Sequence, residues 1–368
     1  MKARNQFCSL GFRPDLLAGP LSSWLDHWRW LAALAVAAAH LRNALMPDAG
    51  ALPLAARPFY FATLFGEQAV ALFFVMSGTL VGGAIVRKAR AGRFIAADYA
   101  IDRAARLLVV LVPALALAIG LQHALPSIDC AAPDRPGTIA GNALLVQNFL
   151  VAPLCNDHPL WSLSSEAWFY AVGPLLILAA MRRSGRLALV ALAALVPGLV
   201  AARVDWQTPL FGLALWLAGL APWFVAVRLR WRFAVWPLVI VFVASRLHLF
   251  PSPLIDSAAI AAAFTLLLCT PPPRAPAPRF AAQCAGFSYS LYLVHMPLAQ
   301  ALGARIGVQS LDAVHGRSYA LYAAALALVV AVAWTFGLVF ERATPTVRAQ
   351  IRHWIGAPGS GSGGLRER

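Results

Sequence analysis

Four clusters of ionisable and hydroxyl side chains sit within or beside long apolar runs, where such groups are costly and face a bundle interior or a wet cavity. The first is Arg29 and His40 in LDHWRWLAALAVAAAH, residues 25–40. Eleven residues apart, they lie almost three turns along a helix and share one face about 16 Å apart. A neutral imidazole can take a proton from a hydroxyl near neutral pH, which makes His40 a candidate general base. A capping arginine and a histidine hydrogen-bonded near an interface would leave the same spacing. The second is Arg103 and Arg106, three apart on one side of a helix, whose guanidinium groups can converge on a phosphorylated ligand or serve as a simple membrane anchor. The third, HPLWSLSSEAWFY at 158–170, puts Ser162 and Glu166 four apart with Trp161 nearby. A carboxylate at that depth needs a partner: Glu166 can orient a histidine, bind a sugar hydroxyl, or stay hydrated within an interfacial aromatic belt. The fourth is GFSYSLYLVHMPL at 286–298, where Ser288, Tyr292 and His295 fall at i, i+4 and i+7. Such a stripe can line a site or join helices by hydrogen bonds.

For these side chains to act, something must hold them at set depths. The 368-residue chain is 60% hydrophobic and 12% charged, with a mean hydropathy of +0.70, outside the range of ordinary soluble domains. About 20 apolar residues cross a bilayer, and a crossing segment must satisfy its own backbone hydrogen bonds, so long apolar runs imply helices. Strand-like alternation is absent. The expected fold is therefore an all-α integral membrane protein of about ten transmembrane helices. They fall near 25–46, 59–85, 107–124, 159–181, 187–202, 208–227, 233–250, 254–271, 281–304 and 318–341. The run 138–155 contains Asn142, Gln147 and Asn148 and reads as a short extracytoplasmic or re-entrant helix.

Lys and Arg are retained on the cytoplasmic side of a membrane. With the N-terminus inside, 23 of the 30 fall in cytoplasmic segments and 7 on the other side, so both termini are expected in the cytoplasm. This accounts for the net charge of +15 without a nucleic-acid partner. The expected division is a cytoplasmic segment over 1–24, a transmembrane domain over 25–345 and a largely disordered cytoplasmic tail over 346–368. The first apolar run carries Arg29 and His40 and lacks a small-residue cleavage site, so it reads as a retained helix rather than a signal peptide. Cys130 and Cys155 both fall in the largest extracytoplasmic segment, where an oxidising compartment is compatible with a disulfide. No two cysteines have metal-ligand spacing, and no internal repeat supports an inverted-repeat transporter.

Taken in order, these segments resemble the acyltransferase 3 family of membrane-bound O-acyltransferases over nearly the whole chain. Residues 25–40 are similar to the family's first helix, with its Arg and His separated by ten residues, and FFVMSG (73–78) to its FFVxSG signature. RAAR (103–106) matches the paired-arginine motif, WSLSSE (161–166) the WSLxxE motif and SYSLYLVHMPL (288–298) the SYxLYLxHxP motif. FER (340–342) resembles the short motif that closes the last helix. Three positions depart from the pattern. Thr79 stands where a bulky aromatic commonly follows SG, Pro113 lies seven residues after Arg106 instead of about three, and Ala167 replaces a second acidic residue.

The resemblance implies transfer of an acyl group, acetyl first among candidates, from cytoplasmic acyl-CoA across a bacterial inner membrane to a hydroxyl of an extracytoplasmic glycan or glycolipid. Acyl-CoA, as acetyl-CoA, would be the donor substrate, its phosphates on Arg103, Arg106 and Arg29; no metal is implied. His40 would deprotonate the acceptor or be acylated first, with Glu166 as the accompanying carboxylate. Trp161, Ser162, Tyr292 and His295 would line the acceptor side, and Trp168 would offer a further ring face. A glycan or lipid transporter or flippase would use the same residues as a permeation path without acyl transfer. A structural or sensory membrane protein would use them to join helices.

Overall fold

The computed structural model describes residues 8–47, 53–125, 130, 134–182, 185–200, 209–307 and 309–354, the side chains of 196, 197, 199 and 200 excepted. The expected junction of the fifth and sixth spans, and the tail expected to be disordered beyond 354, lie outside the described residues. Strand β1, Cys8–Leu10, leads to α1, Pro20–Leu45, which starts five residues before the hydropathy boundary because Pro20 fits the first helical turn. After a short α2, Arg57–Thr63, helix α3, Gly66–Ser77, runs through a π turn at Gly78–Gly82 into α4, Gly83–Arg90. Helix α5, Ala96–Ala124, contains Pro113 without ending there. Then follow α6, Pro136–Ala143, α7, Leu160–Arg182, α8, Gly185–Val200, and α9, Pro209–Ala218. Strand β2, Val225–Val227, pairs antiparallel with β1. The chain continues through α10, Trp231–Arg246, α11, Pro253–Cys269, α12, Pro278–Ala285, and α13, Ser288–Ile306. Helix α14, Gly316–Phe336, passes through a second π turn, Gly337–Glu341, to α15, Thr344–Trp354.

The all-α class is as expected, and each of the ten expected spans holds helix. Four continuous helical stretches are long and apolar enough to cross a membrane by length and composition: Leu54–Arg90, Ala96–Ala124, Leu160–Arg182 and Gly316–Trp354. The other helices are shorter, broken or carry charged groups. Large apolar side chains also face outward; Leu192, Trp236, Ile240 and Leu328 are each more than half exposed. An apolar exterior with helices of spanning length marks an integral membrane protein.

Three expected segments differ in form. Over 138–155 the helix ends at Ala143, because Leu145 and Asn148 take positive φ and the Asn142 amide is spent on the carbonyl oxygens of Thr138 and Ala152. Over 208–227 it stops at Ala218, before a short 3-10 turn at Ala221–Trp223 that contains Pro222. Over 281–304 it breaks at Gly286 and Phe287 into α12 and α13. The disulfide left open by the sequence forms between Cys130 and Cys155, with Cα atoms 5.4 Å apart.

Helix α1 is central and packs against α3, α12, α13 and α14. The π turn after α3 meets the end of α9 backbone to backbone. A Cβ on Gly78 would lie 1.7 Å from the Trp216 carbonyl oxygen, and one on Gly219 would lie 2.1 Å from that of Val75. Thr79 is fully buried in this contact, its hydroxyl 3.0 Å from the Val75 carbonyl and 2.8 Å from that of Gly219, which leaves no room for an aromatic ring. Gly78→Ala is expected to cost at least the ~1–3 kcal/mol of an overpacked core. Heating the detergent-solubilised variant before size-exclusion chromatography checks this: an aggregation midpoint equal to wild type would show that the two helices have room.

Candidate active site

The helices line a cavity of about 510 Å3 that gathers seven of the eleven side chains singled out from the sequence: Arg29, Arg103, Arg106, Ser162, Glu166, Ser288 and Tyr292. Helix α1 contributes Arg29, α5 the paired arginines, α7 Ser162 and Glu166, and α13 Ser288 and Tyr292. Both π turns open onto it, through Leu80 and Val81 in one and Glu341 in the other. A π turn shifts the register of the side chains around it, which is how such turns come to serve sites.

One end of the cavity is cationic. Four guanidinium groups, of Arg29, Arg103, Arg106 and Arg342, face three carboxylates, of Asp26, Glu166 and Glu341. Glu341 is the organising anion. Its Oε1 lies 2.7 Å from Arg106 Nη1, while its Oε2 accepts from the Ser290 backbone N–H at 3.1 Å and the Ser290 hydroxyl at 2.8 Å. Only 5% of the Glu341 side chain is exposed, so Arg106 is held on a fixed anchor. Arg106 also stands over the Tyr289 ring at 5.0 Å, and Tyr289 donates to the Leu107 carbonyl. Arg29 pairs with Asp26 at 3.6 Å. Arg103 lines the cavity and stands over the Tyr170 ring at 5.6 Å, and its buried Nε has no hydrogen-bond partner among the described residues.

Glu166 faces the same space, with Oε1 accepting from Tyr170 at 2.6 Å and from Ser77 at 2.8 Å. Trp216 in turn donates to Ser77 at 3.1 Å. Among the described residues Glu166 therefore leans on a hydroxyl pair and not on an imidazole.

At the other end, the Ser162 and Tyr292 hydroxyls are 2.5 Å apart, and both lie within hydrogen-bond reach of the Pro159 carbonyl. Beyond Tyr292 stand the two histidines, outside the cavity wall. The His295 ring is 5.7 Å from that of Tyr292 and 5.3 Å from that of His40. His295 is 1% exposed, and its Nδ1 lies 2.7 Å from the Tyr292 carbonyl and 3.2 Å from that of Leu291. Carbonyl oxygens only accept, so Nδ1 carries the hydrogen; Nε2 has no partner among the described residues and in the neutral ring presents a lone pair. Arg29 and His40 thus lie along one helix, but Arg29 lines the cavity and His40 does not. Trp161 lies outside the lining as well, edge-on to Phe74 at 6.3 Å. Trp168, expected to offer a ring face, packs between helices and donates to the Ala194 carbonyl of α8 at 3.1 Å.

In the loop before α7, Asp157 is 1% exposed and its Oδ1 has no partner among the described residues, and burial raises its carboxyl well above the usual carboxylate range. An acid whose folded value is raised binds protons that the unfolded chain has already lost. Stability is therefore greatest below the unfolded value of about 3.9 and declines as pH rises from there through the folded value. Asp157→Asn should remove that decline and raise the thermal midpoint at neutral pH. Midpoints of the two proteins that fall in parallel with pH would show that Asp157 is not the group responsible.

Reasoning on the sequence missed Ser77, Tyr170, Tyr289 and Glu341. Ser77 and Glu341 sit inside the FFVMSG and FER motifs, and that was their only signal. In comparisons with known proteins, residues 22–339 match the family described as an acyltransferase domain. No curated protein and no solved structure matches the chain.

Proposed function

Because the chain belongs to this acyltransferase family over residues 22–339, we propose that it moves an acyl group, acetyl first among candidates, from a cytoplasmic acyl-CoA to a hydroxyl of an extracytoplasmic glycan or glycolipid. The observation that carries this reading is the single cavity in which Arg29, Arg103 and Arg106 converge and whose far end abuts the His40–His295 pair through Tyr292. Guanidinium groups suit the donor's phosphates, bidentately where geometry allows. The Lys and Arg count favours this end on the cytoplasmic side, and the Cys130–Cys155 disulfide fits an oxidising outer side.

With the phosphates at the arginines, the thioester arm runs along the apolar wall of Phe73 and Phe74 toward Tyr292. An acceptor hydroxyl gives its proton to the His40 imidazole as its oxygen attacks the thioester carbonyl carbon. The C–S bond then breaks, and the departing CoA sulfur takes the proton back from the imidazolium. The neutral His295 beside His40 offers the lone pair of Nε2, which can accept from His40 or from the hydroxyl. Access requires the Ser162–Tyr292 hydroxyl contact to open, so Tyr292 would act as the inner face of the transfer point.

The test is reconstitution of the full chain in liposomes with acetyl-CoA labelled in the acetyl group. The expected result is release of free CoA together with label on an added glycan. No release of CoA with any glycan or glycolipid acceptor, from protein that remains folded, would overturn the reading.

A further inference from the structure

A smaller hollow of about 200 Å3 adjoins the main cavity, and the two share Leu80, Val81 and Arg103. One wall is a single helical face, in which Val81, Ala84, Ile85 and Lys88 recur at i, i+3, i+4 and i+7. Opposite stand the rings of Phe94 and Tyr99, 5.7 Å apart at their centroids. Tyr99 is fixed by donating to the Tyr170 carbonyl at 3.0 Å. Asp102 also reaches the hollow, but its carboxylate is taken up by Arg352 at 2.8 Å and Arg348 at 3.5 Å from α15. What remains for a ligand is cationic: Lys88 at the rim and, at the junction, Arg103, which lines both hollows.

A hollow lined by aliphatic side chains and two aromatic rings suits a heteroaromatic base, and the cations Lys88 and Arg103 suit two phosphate groups. Lys88 lies seven residues along the helix from Val81, about 10 Å. Resting on the donor reading above, we infer that the smaller hollow holds the adenosine 3′-phosphate end of acyl-CoA. The base lies against Phe94 and Tyr99, the 3′-phosphate meets Lys88, and the diphosphate lies at Arg103 where the hollows join.

The test is binding of CoA and of 3′-dephospho-CoA to the full chain in detergent, by calorimetry. Wild type is expected to bind CoA about tenfold more tightly than its dephospho form, the effect of one charge-assisted phosphate contact. Lys88→Ala should weaken CoA by about the same tenfold and leave 3′-dephospho-CoA unchanged. Arg87→Ala, an exposed charge that lines neither hollow, should change neither. Phe94→Ala should weaken both. If Lys88→Ala leaves CoA affinity intact, or weakens both ligands equally, while wild type still binds CoA, the subsite is overturned and the donor reading stands. If wild type binds neither ligand, the donor reading fails and the subsite falls with it.

Discussion

Alanine at His40 is expected to abolish acyl transfer, by roughly 10²–10⁴-fold, the usual contribution of a positioned acid–base group. Donor binding should persist, because His40 lies outside the cavity wall while the arginines lie on it. The measurement is paired: label transfer from acetyl-CoA, and affinity for CoA, on the same preparation. His295 supplies the internal comparison. Its Nδ1–H is tied to two backbone carbonyls, so only Nε2 is available, and His295→Gln should slow transfer less than His40→Ala. If His40→Ala transfers at the wild-type rate while His295→Gln does not, the base is His295 and the assignment made above is wrong.

The second large effect separates binding from folding at the cationic end. Arg106→Ala leaves the nearly buried Glu341 carboxylate without its counterion, and stranding one member of a buried pair costs about 3–5 kcal/mol. With 30% of the Arg106 side chain exposed, water relieves part of this, so about 3 kcal/mol is expected, together with loss of CoA binding. Arg106→Met with Glu341→Gln removes both charges and keeps an acceptor for Ser290. That double variant should regain thermal stability without regaining CoA affinity. Arg103→Ala should do the reverse of the folding defect, weakening CoA by about tenfold or more with little change in midpoint, because no protein partner is lost at its Nε. If the double variant bound CoA as wild type does, Arg106 would have no part in the donor site.

Hydropathy placed the helices because a lipid-facing flank and a packed core both demand apolar residues. The same fact hid their interruptions. Gly219 and Pro222 lie in a run where every neighbour is apolar, and at the Gly286–Phe287 step Gln283, Ser288 and Ser290 fit one continuous helix as well as a break, so no change of period marks either. The π turns leave no trace either, since they alter hydrogen-bond pairing and not composition. At the site, Arg29, Arg103, Arg106 and Glu166 stood out because a charge within an apolar run is conspicuous. Ser77 and Tyr170 did not, because a hydroxyl in such a run is ordinary, and their hydrogen bonds to Glu166 depend on α3 and α7 meeting in space. Arg29 and His40 lie on the one helix α1, but the cavity lining includes Arg29 and not His40, and the rings nearest His40 come from α13, far along the chain.

The partners of the donor end are far apart in the order of synthesis. Arg106 is followed by Glu341 only 235 residues later, and Asp102 by Arg352 only 250 residues later. At about 5–20 residues per second, roughly 10–50 s pass between synthesis of Arg106 and Asp102 and emergence of their counterions. This cationic end of the cavity is thus completed late. A message broken before codon 341 would yield a bundle already inserted yet lacking its anion anchor, a substrate for membrane proteases and not a slow enzyme.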